Sequence, residues 1–284
     1  MQEFDNQWNY ANPEETATIF HSFLKASSPE KDLNYHLQLL TQIARTHSLR
    51  RNFEEAHALL DEAQRLLPAE HLTAHIRYHL ERGRTYNSAG EKETANEHFV
   101  AAEEIAGHLK EDFYLIDAIH MLSIISPPAK SLLLNEKAIV AAEVSSNERA
   151  KNWLGSLYNN LGWSYFDIGN YEKALSIFLR ALLWRESKKQ AQEIFLAKWC
   201  VARTLRSLSK IEEAIKIQLA LLEEMIESGN ADGYVYEELA ELHLLKNDTT
   251  YKMYSQFAFN ELSKDTWLTA HEPQRLERLK QMAK

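Results

Sequence analysis

Between Leu157 and Ala181 the chain sets small, aromatic and aliphatic residues three or four positions apart: Leu157, Tyr158, Leu161, Gly162 and Tyr165, then Gly169, then Ala174, Phe178 and Ala181. That spacing is one buried stripe on each of two helices, interrupted at a glycine turn. Nearer the start, Ile19, Phe20, Phe23 and Leu24 mark one face of a helix over Thr16 to Lys25, and Asn12-Pro13-Glu14-Glu15 opens it with Asn12 as N-cap. Ser28-Pro29-Glu30 and Ser126-Pro127-Pro128 open further helices, because proline costs little in a first turn whose N–H has no partner. His271-Glu272-Pro273 precedes a last short, charged helix to Lys284. With 8 Gly and 6 Pro there is little material for tightly turned sheets, so the pattern predicts an all-helical chain.

The 157–181 stretch resembles the tetratricopeptide repeat (TPR), which places a small residue on its first helix, an aromatic three later, a glycine at the turn, and Ala, an aromatic and Ala down its second helix. The same template fits Gly83, Tyr86, Gly90, Ala95, Phe99 and Ala102, and upstream Ala44, His47, Phe53, Ala56, Leu60 and Ala63. Downstream it fits Ala202, Leu205, Ile211 and Ala214, then Ala240 and His243. The small positions lie 39, 79, 40 and 38 residues apart, so the interval of 79 conceals one more unit, over 111–145, with Ala118 near its small position. The resemblance implies an all-α, right-handed α-solenoid of about six helical hairpins in a single domain, with an N-terminal cap over 1–36, repeats over 37–262 and a C-terminal cap over 263–284.

It also implies which residues line the inner groove: Thr41 and Arg45; Arg77, Leu80, Arg84 and Asn87; Asn159, Trp163 and Phe166; Trp199, Arg203 and Arg206; Tyr234, Glu237 and Glu241. Chaperone-binding members carry a lysine and asparagine set where this chain has Thr41 with Arg45 and Leu80 with Arg84, so that partner is not implied. Asn159 and Asn160 instead resemble the asparagines with which peptide-sensing members of the family hold an extended backbone.

Composition sharpens this. A formal charge of −9 argues against a nucleic-acid partner, yet five arginines gather on one implied face. Guanidinium groups grip carboxylates and phosphates in pairs, and Trp163 and Trp199 offer rigid apolar anchors, so the expected ligand is an acidic peptide or partner segment. A peptide-sensing regulator is the alternative within the same class. No run approaches a membrane span, no secretory signal opens the chain, and the single Cys200 forms no internal disulfide, which together predict a cytoplasmic protein with no membrane partner.

Two features point toward other chemistry. His71, His75 and His79 stand at i, i+4 and i+8, but zinc needs a third or fourth ligand of the right kind and no His-Glu-x-x-His or Cys-x-x-Cys is present, so no metal is expected. Asp117 and His120 share a helix face at i, i+3 and could serve acid–base work in a small-molecule or metal-dependent enzyme. No phosphate loop or nucleophile elbow accompanies them, and the chain reads as a non-enzymatic binding protein without a cofactor.

Overall fold

The computed structural model describes residues 2–284, and among them the regular elements are all helical. A five-residue 3-10 turn, Glu3–Gln7, and α1 (Pro13–Ala26) precede six hairpins. These pair α2 (Leu33–Leu49) with α3 (Phe53–Leu66), α4 (Leu72–Ala89) with α5 (Lys92–Leu109), and α6 (Asp112–Ile125) with α7 (Pro128–Val144). After the short α8 (Glu148–Lys151) come α9 (Leu154–Asp167) with α10 (Tyr171–Ser187), α11 (Ala191–Ser207) with α12 (Ile211–Ser228), and α13 (Gly233–Leu245) with α14 (Tyr251–Leu262). α15 (Thr266–His271) and α16 (Pro273–Met282) close the chain. The contacts group into two compact units, residues 1–157 and 158–284. No described helix is long and apolar enough to cross a membrane.

The repeat pattern is a packing rule. A Cβ added to Gly83 would come within 2.5 Å of the Phe99 ring, and one added to Gly162 would overlap Phe178 in the same way. Each glycine therefore lets the ring of the second helix lie against the backbone of the first. In the first hairpin Ala44 faces the smaller Leu60, and both are fully buried. The volume given up on one helix is filled from the other, as close-packed interiors require.

The turns inside the hairpins repeat as well. At Gly90 and Gly169 the backbone enters the left-handed region, with φ of 94° and 77°. Behind each, the next N–H reaches back to the carbonyl of Tyr86 or Tyr165 at 2.9 Å, which satisfies helix-end carbonyls. Arg51, Ser209 and Asn247 occupy the equivalent place with φ of 65°, 59° and 55°, and the following N–H groups reach His47, Leu205 and His243. The third hairpin turns differently. Pro127 restricts the residue before it to extended backbone, so α6 ends at Ser126 with φ −86° and ψ 153°, and α7 starts on Pro128. Where α3, α5 and α10 carry Leu60, Phe99 and Phe178, α7 carries buried Asn135, whose Oδ1 accepts from Ser123 Oγ at 3.2 Å, and α12 carries buried Gln218.

Candidate functional site

The N-terminal unit holds a cavity of about 710 Å³. Its floor is α4. Arg77, Glu81 and Arg84 stand at i, i+4 and i+7 and so share one side of that helix, with Leu80 beside them. α2 contributes Gln42 and Arg45, and α6 contributes Phe113, Tyr114, Asp117, His120, Met121 and Ile124. Arg149 of α8 and Trp153 close one side. Asp5, Trp8 and Tyr10 of the N-terminal segment close the other.

Glu81 is the centre of the charge network. Its Oε1 accepts from Arg84 Nη1 at 2.7 Å, and its Oε2 lies 3.7 Å from Arg45 Nε. Gln42 links this carboxylate to the N-terminal segment, donating from Nε2 to Glu81 Oε1 at 3.4 Å and accepting from Trp8 Nε1 at 3.0 Å. Arg84 also donates to Asp117. Burial opposes the Arg84 charge, but Asp117 and Glu81 more than offset it and raise the pKa above the usual arginine value. Arg45 lies on the other side of that balance: burial pulls its pKa down despite Glu81.

Arg77 is only 3% exposed. It donates from Nε to the Tyr114 hydroxyl at 2.7 Å and from Nη2 to both Asp5 carboxylate oxygens at 2.7 Å. Its plane lies 5.3 Å from the Phe4 ring centre and 5.5 Å from that of Tyr114. Arg149 sits 3.6 Å above the centre of the Phe113 ring and has no carboxylate partner among the described residues. With four guanidinium groups (Arg45, Arg77, Arg84, Arg149) against three carboxylates (Asp5, Glu81, Asp117), the lining keeps one net positive charge.

Four lining atoms are buried without any hydrogen-bond partner: Arg77 Nη1, Glu81 Oε2, His120 Nδ1 and Trp153 Nε1. Leaving such a group unpaired costs about 1–3 kcal/mol. His120 packs against the Trp153 ring at 5.1 Å, and burial lowers its pKa, with Asp117 working against that and Arg84 with it. The carboxylate of Asp117 is engaged by Arg84, an ion pair rather than a carboxylate-oriented base.

The other groove residues lie in the C-terminal unit. Arg206 grips Glu238 through Nε at 2.7 Å and Nη2 at 2.9 Å, and Arg203 donates to the same carboxylate, which is 1% exposed. Glu237 is held by Arg275 and Glu241 by Arg278, both from α16. Trp163, Trp199 and Tyr234 form a ladder with ring centres 6.1 Å apart at each step, and Trp199 Nε1 donates to the Tyr234 carbonyl at 3.2 Å. Asn159 Oδ1 lies 3.8 Å from Cys200 Sγ, and burial pushes that thiol up to about 12, so it is unreactive at neutral pH. Asn160 accepts a bond from Ser164 Oγ through its backbone carbonyl.

The histidine row disperses into separate contacts. His75 Nε2 bonds the Pro68 carbonyl at 3.1 Å, and His79 Nδ1 faces His98 Nδ1 at 3.0 Å. Burial, then His98 and His75, take the His79 pKa down to about 4.

Asp5, Trp8, Tyr10, Glu81, Arg149 and Trp153 are among the lining residues that repeat positions alone do not indicate. Glu81 was within reach, because it sits one turn after Arg77 on the same stripe. The N-terminal residues carried no such signal, since nothing local ties Asp5 to a residue 72 positions away.

The family model for the tetratricopeptide repeat matches residues 155–188. No curated protein matches the sequence. Among solved structures, the apo form of RapI is similar over 90% of this chain and 73% of that one, with 13% identity and a TM-score of 0.73. Aspartyl phosphate phosphatase F from Bacillus subtilis is similar over 89% of this chain and 71% of that one, at 15% identity and a TM-score of 0.63. NprR in complex with its cognate peptide NprX is similar over 94% and 76%, at 15% identity and a TM-score of 0.51. At these identities the likeness is one of fold, and the fold is that of tetratricopeptide-repeat proteins.

Proposed function

We propose that this chain, with its tetratricopeptide-repeat fold, is a protein- or peptide-binding scaffold, and that the cavity of its N-terminal unit receives an acidic segment of the ligand. One observation carries the reading: the cavity lining sets four guanidinium groups against three carboxylates, and Arg149, on the Phe113 ring, has no carboxylate partner among the described residues. Arg45, Arg84 and Arg149 add to that field, and Phe113 and Trp153 supply flat apolar area. The size suits a short segment rather than a folded surface, because enclosed sites of this volume take small ligands. In the C-terminal unit, Trp163, Trp199 and Tyr234 serve as apolar anchors, with Asn159 and Asn160 beside them as backbone contacts. Arg203, Arg206 and Glu237 are already committed to ion pairs and act mainly by orienting that surface.

A peptide-sensing role has a specific support. The N-terminal segment reaches the cavity through Asp5 and Trp8, so ligand entry bears directly on how that segment is held. Binding rather than catalysis is favoured because Asp117 is paired with Arg84 and unavailable to His120 as a base.

The test is selection from a random peptide library on immobilised protein, wild type beside Arg149→Glu. Arg149 pairs with no carboxylate among the described residues, so its replacement leaves their ion-pair network whole. Enrichment of peptides with Asp or Glu by wild type, lost with the variant, is expected. Enrichment of neutral or basic peptides, or equal enrichment by both proteins, overturns the reading.

A further inference from the structure

The cavity wall changes character along its length. On α6, Phe113, Asp117, His120 and Ile124 stand at i, i+4, i+7 and i+11 and so form one stripe of the lining. α4 runs beside it in the same direction, since Arg77 meets Tyr114 and, further along both helices, Arg84 meets Asp117. That pair is the last guanidinium and the last carboxylate of the lining on the two helices. Beyond it α4 contributes Asn87 and Ser88, and α6 contributes His120, Met121 and Ile124.

The two ends also differ in what they leave uncommitted. At the Phe113 end Arg149 lies over the ring at 3.6 Å, partly exposed and without a carboxylate partner among the described residues. At the other end Ile124 is 51% exposed, a large apolar side chain of the lining that still faces water. An apolar ligand group laid against it would remove that surface from water.

We infer that the acidic segment lies along α6 in one register, with its carboxylate at Arg149 and a bulky apolar side chain, four residues away, against Ile124 and Met121. This rests on the cavity being the site for an acidic segment and deepens it by naming the second group the ligand carries and its spacing. Charge complementarity sets the direction: the unpaired guanidinium is at the Phe113 end, and no cation lines the wall beside Ile124. Phe113 and Ile124 are 11 positions apart on the helix, about 16 Å at a rise of about 1.5 Å per residue. An extended peptide advances about 3.3–3.6 Å per residue and turns alternate side chains to the same side. Among same-side spacings, two falls far short and six overshoots, whereas four spans about 13–14 Å and leaves a remainder that the long Arg149 and acidic side chains cover.

Three acetylated, amidated pentapeptides of one composition test this by calorimetry on the full chain: Glu-Ser-Ser-Ser-Leu, its reverse Leu-Ser-Ser-Ser-Glu, and Ser-Ser-Ser-Glu-Leu, in which acid and leucine are adjacent. Wild type should bind at least one of the first two about tenfold more tightly than the third, because only a spaced pair covers Ile124 while its acid meets Arg149. A preference between the first two gives the direction of the bound chain. In Ile124→Ser the three should bind alike, and in Arg149→Gln all three should weaken; melting curves check that both variants fold, and the wild-type comparison stands without them. If wild type binds all three alike or the adjacent isomer best, or if the preference persists in folded Ile124→Ser, the register falls and the acidic-segment reading remains. If wild type binds none of the three, the cavity is not a site for acidic peptides and both readings fall.

Discussion

The two units gather arginines and carboxylates in comparable numbers and use them to opposite ends. In the C-terminal unit Glu238 is clasped by Arg203 and Arg206, and Glu237 and Glu241 are each taken by an arginine of α16. In the N-terminal unit Arg149 closes no ion pair with a carboxylate among the described residues, and Arg77 Nη1, Glu81 Oε2 and Trp153 Nε1, in residues of the cavity lining, are buried without hydrogen-bond partners. The difference teaches that an arginine-rich face is not by itself a binding site. What separates stabilising charge from recognising charge is whether the pairs are closed, since a closed buried pair has already made up for its desolvation and an open one has not.

The largest test of that contrast is to open a closed pair. Glu238→Gln leaves two guanidinium groups of the C-terminal unit without their buried carboxylate and should cost about 3–5 kcal/mol in urea unfolding. Arg149→Glu in the N-terminal unit should cost under about 1 kcal/mol, because that guanidinium closes no pair. Equal losses would show that both networks are structural.

Next in size is a feature the units share. Gly83→Ala and Gly162→Ala should each destabilise by about 1–3 kcal/mol, because a methyl group meets Phe99 or Phe178. Phe99→Leu should recover part of the loss in Gly83→Ala, reproducing the Ala44–Leu60 pairing of the first hairpin. A double-mutant cycle that shows no coupling would refute the proposed exchange of volume.

A pH effect carried by a buried histidine should appear in the N-terminal unit. The folded His79 titrates near 4 against an ordinary 6.5, so the unfolded chain takes up the proton first. Stability from this group is complete above pH 6.5 and falls as pH drops toward 4, by on the order of 2 kcal/mol for a half-buried site. His79→Tyr, which copies Tyr158 at the same repeat position, should flatten that part of the stability–pH curve. An unchanged slope would assign it to other groups.

The smallest effect concerns the turns. Ser209→Gly should stabilise by up to about 1 kcal/mol, since glycine already fills the left-handed position at Gly90 and Gly169 and serine pays a steric cost there. No shift in melting temperature would mean that the Ser209 turn carries no strain.

Most of the fold was legible because it is local and repeated. Each small residue, its aromatic partner and the left-handed turn lie within about twenty residues, so Gly162, Gly169 and Phe178 declare a hairpin without help from distant chain. The third hairpin was legible only in outline, because Pro127 changes its turn and Asn135 replaces the expected ring. The candidate site divides the same way. Arg45, Arg77, Arg84, Asp117 and His120 were named from helix positions, and the structure gathers all five around one cavity. The same reasoning placed Arg203 and Arg206 beside them in kind, and could not see that Glu238 had already claimed both.

By itself, then, the sequence determined the helical hairpins, their period and which helix faces carry charge, because these follow from spacing along a single chain segment. The tertiary structure alone decided which charges are paired. That choice depends on contacts such as Asp5 with Arg77 and Glu238 with Arg206, across 72 and 32 residues, where no local periodicity constrains the partner.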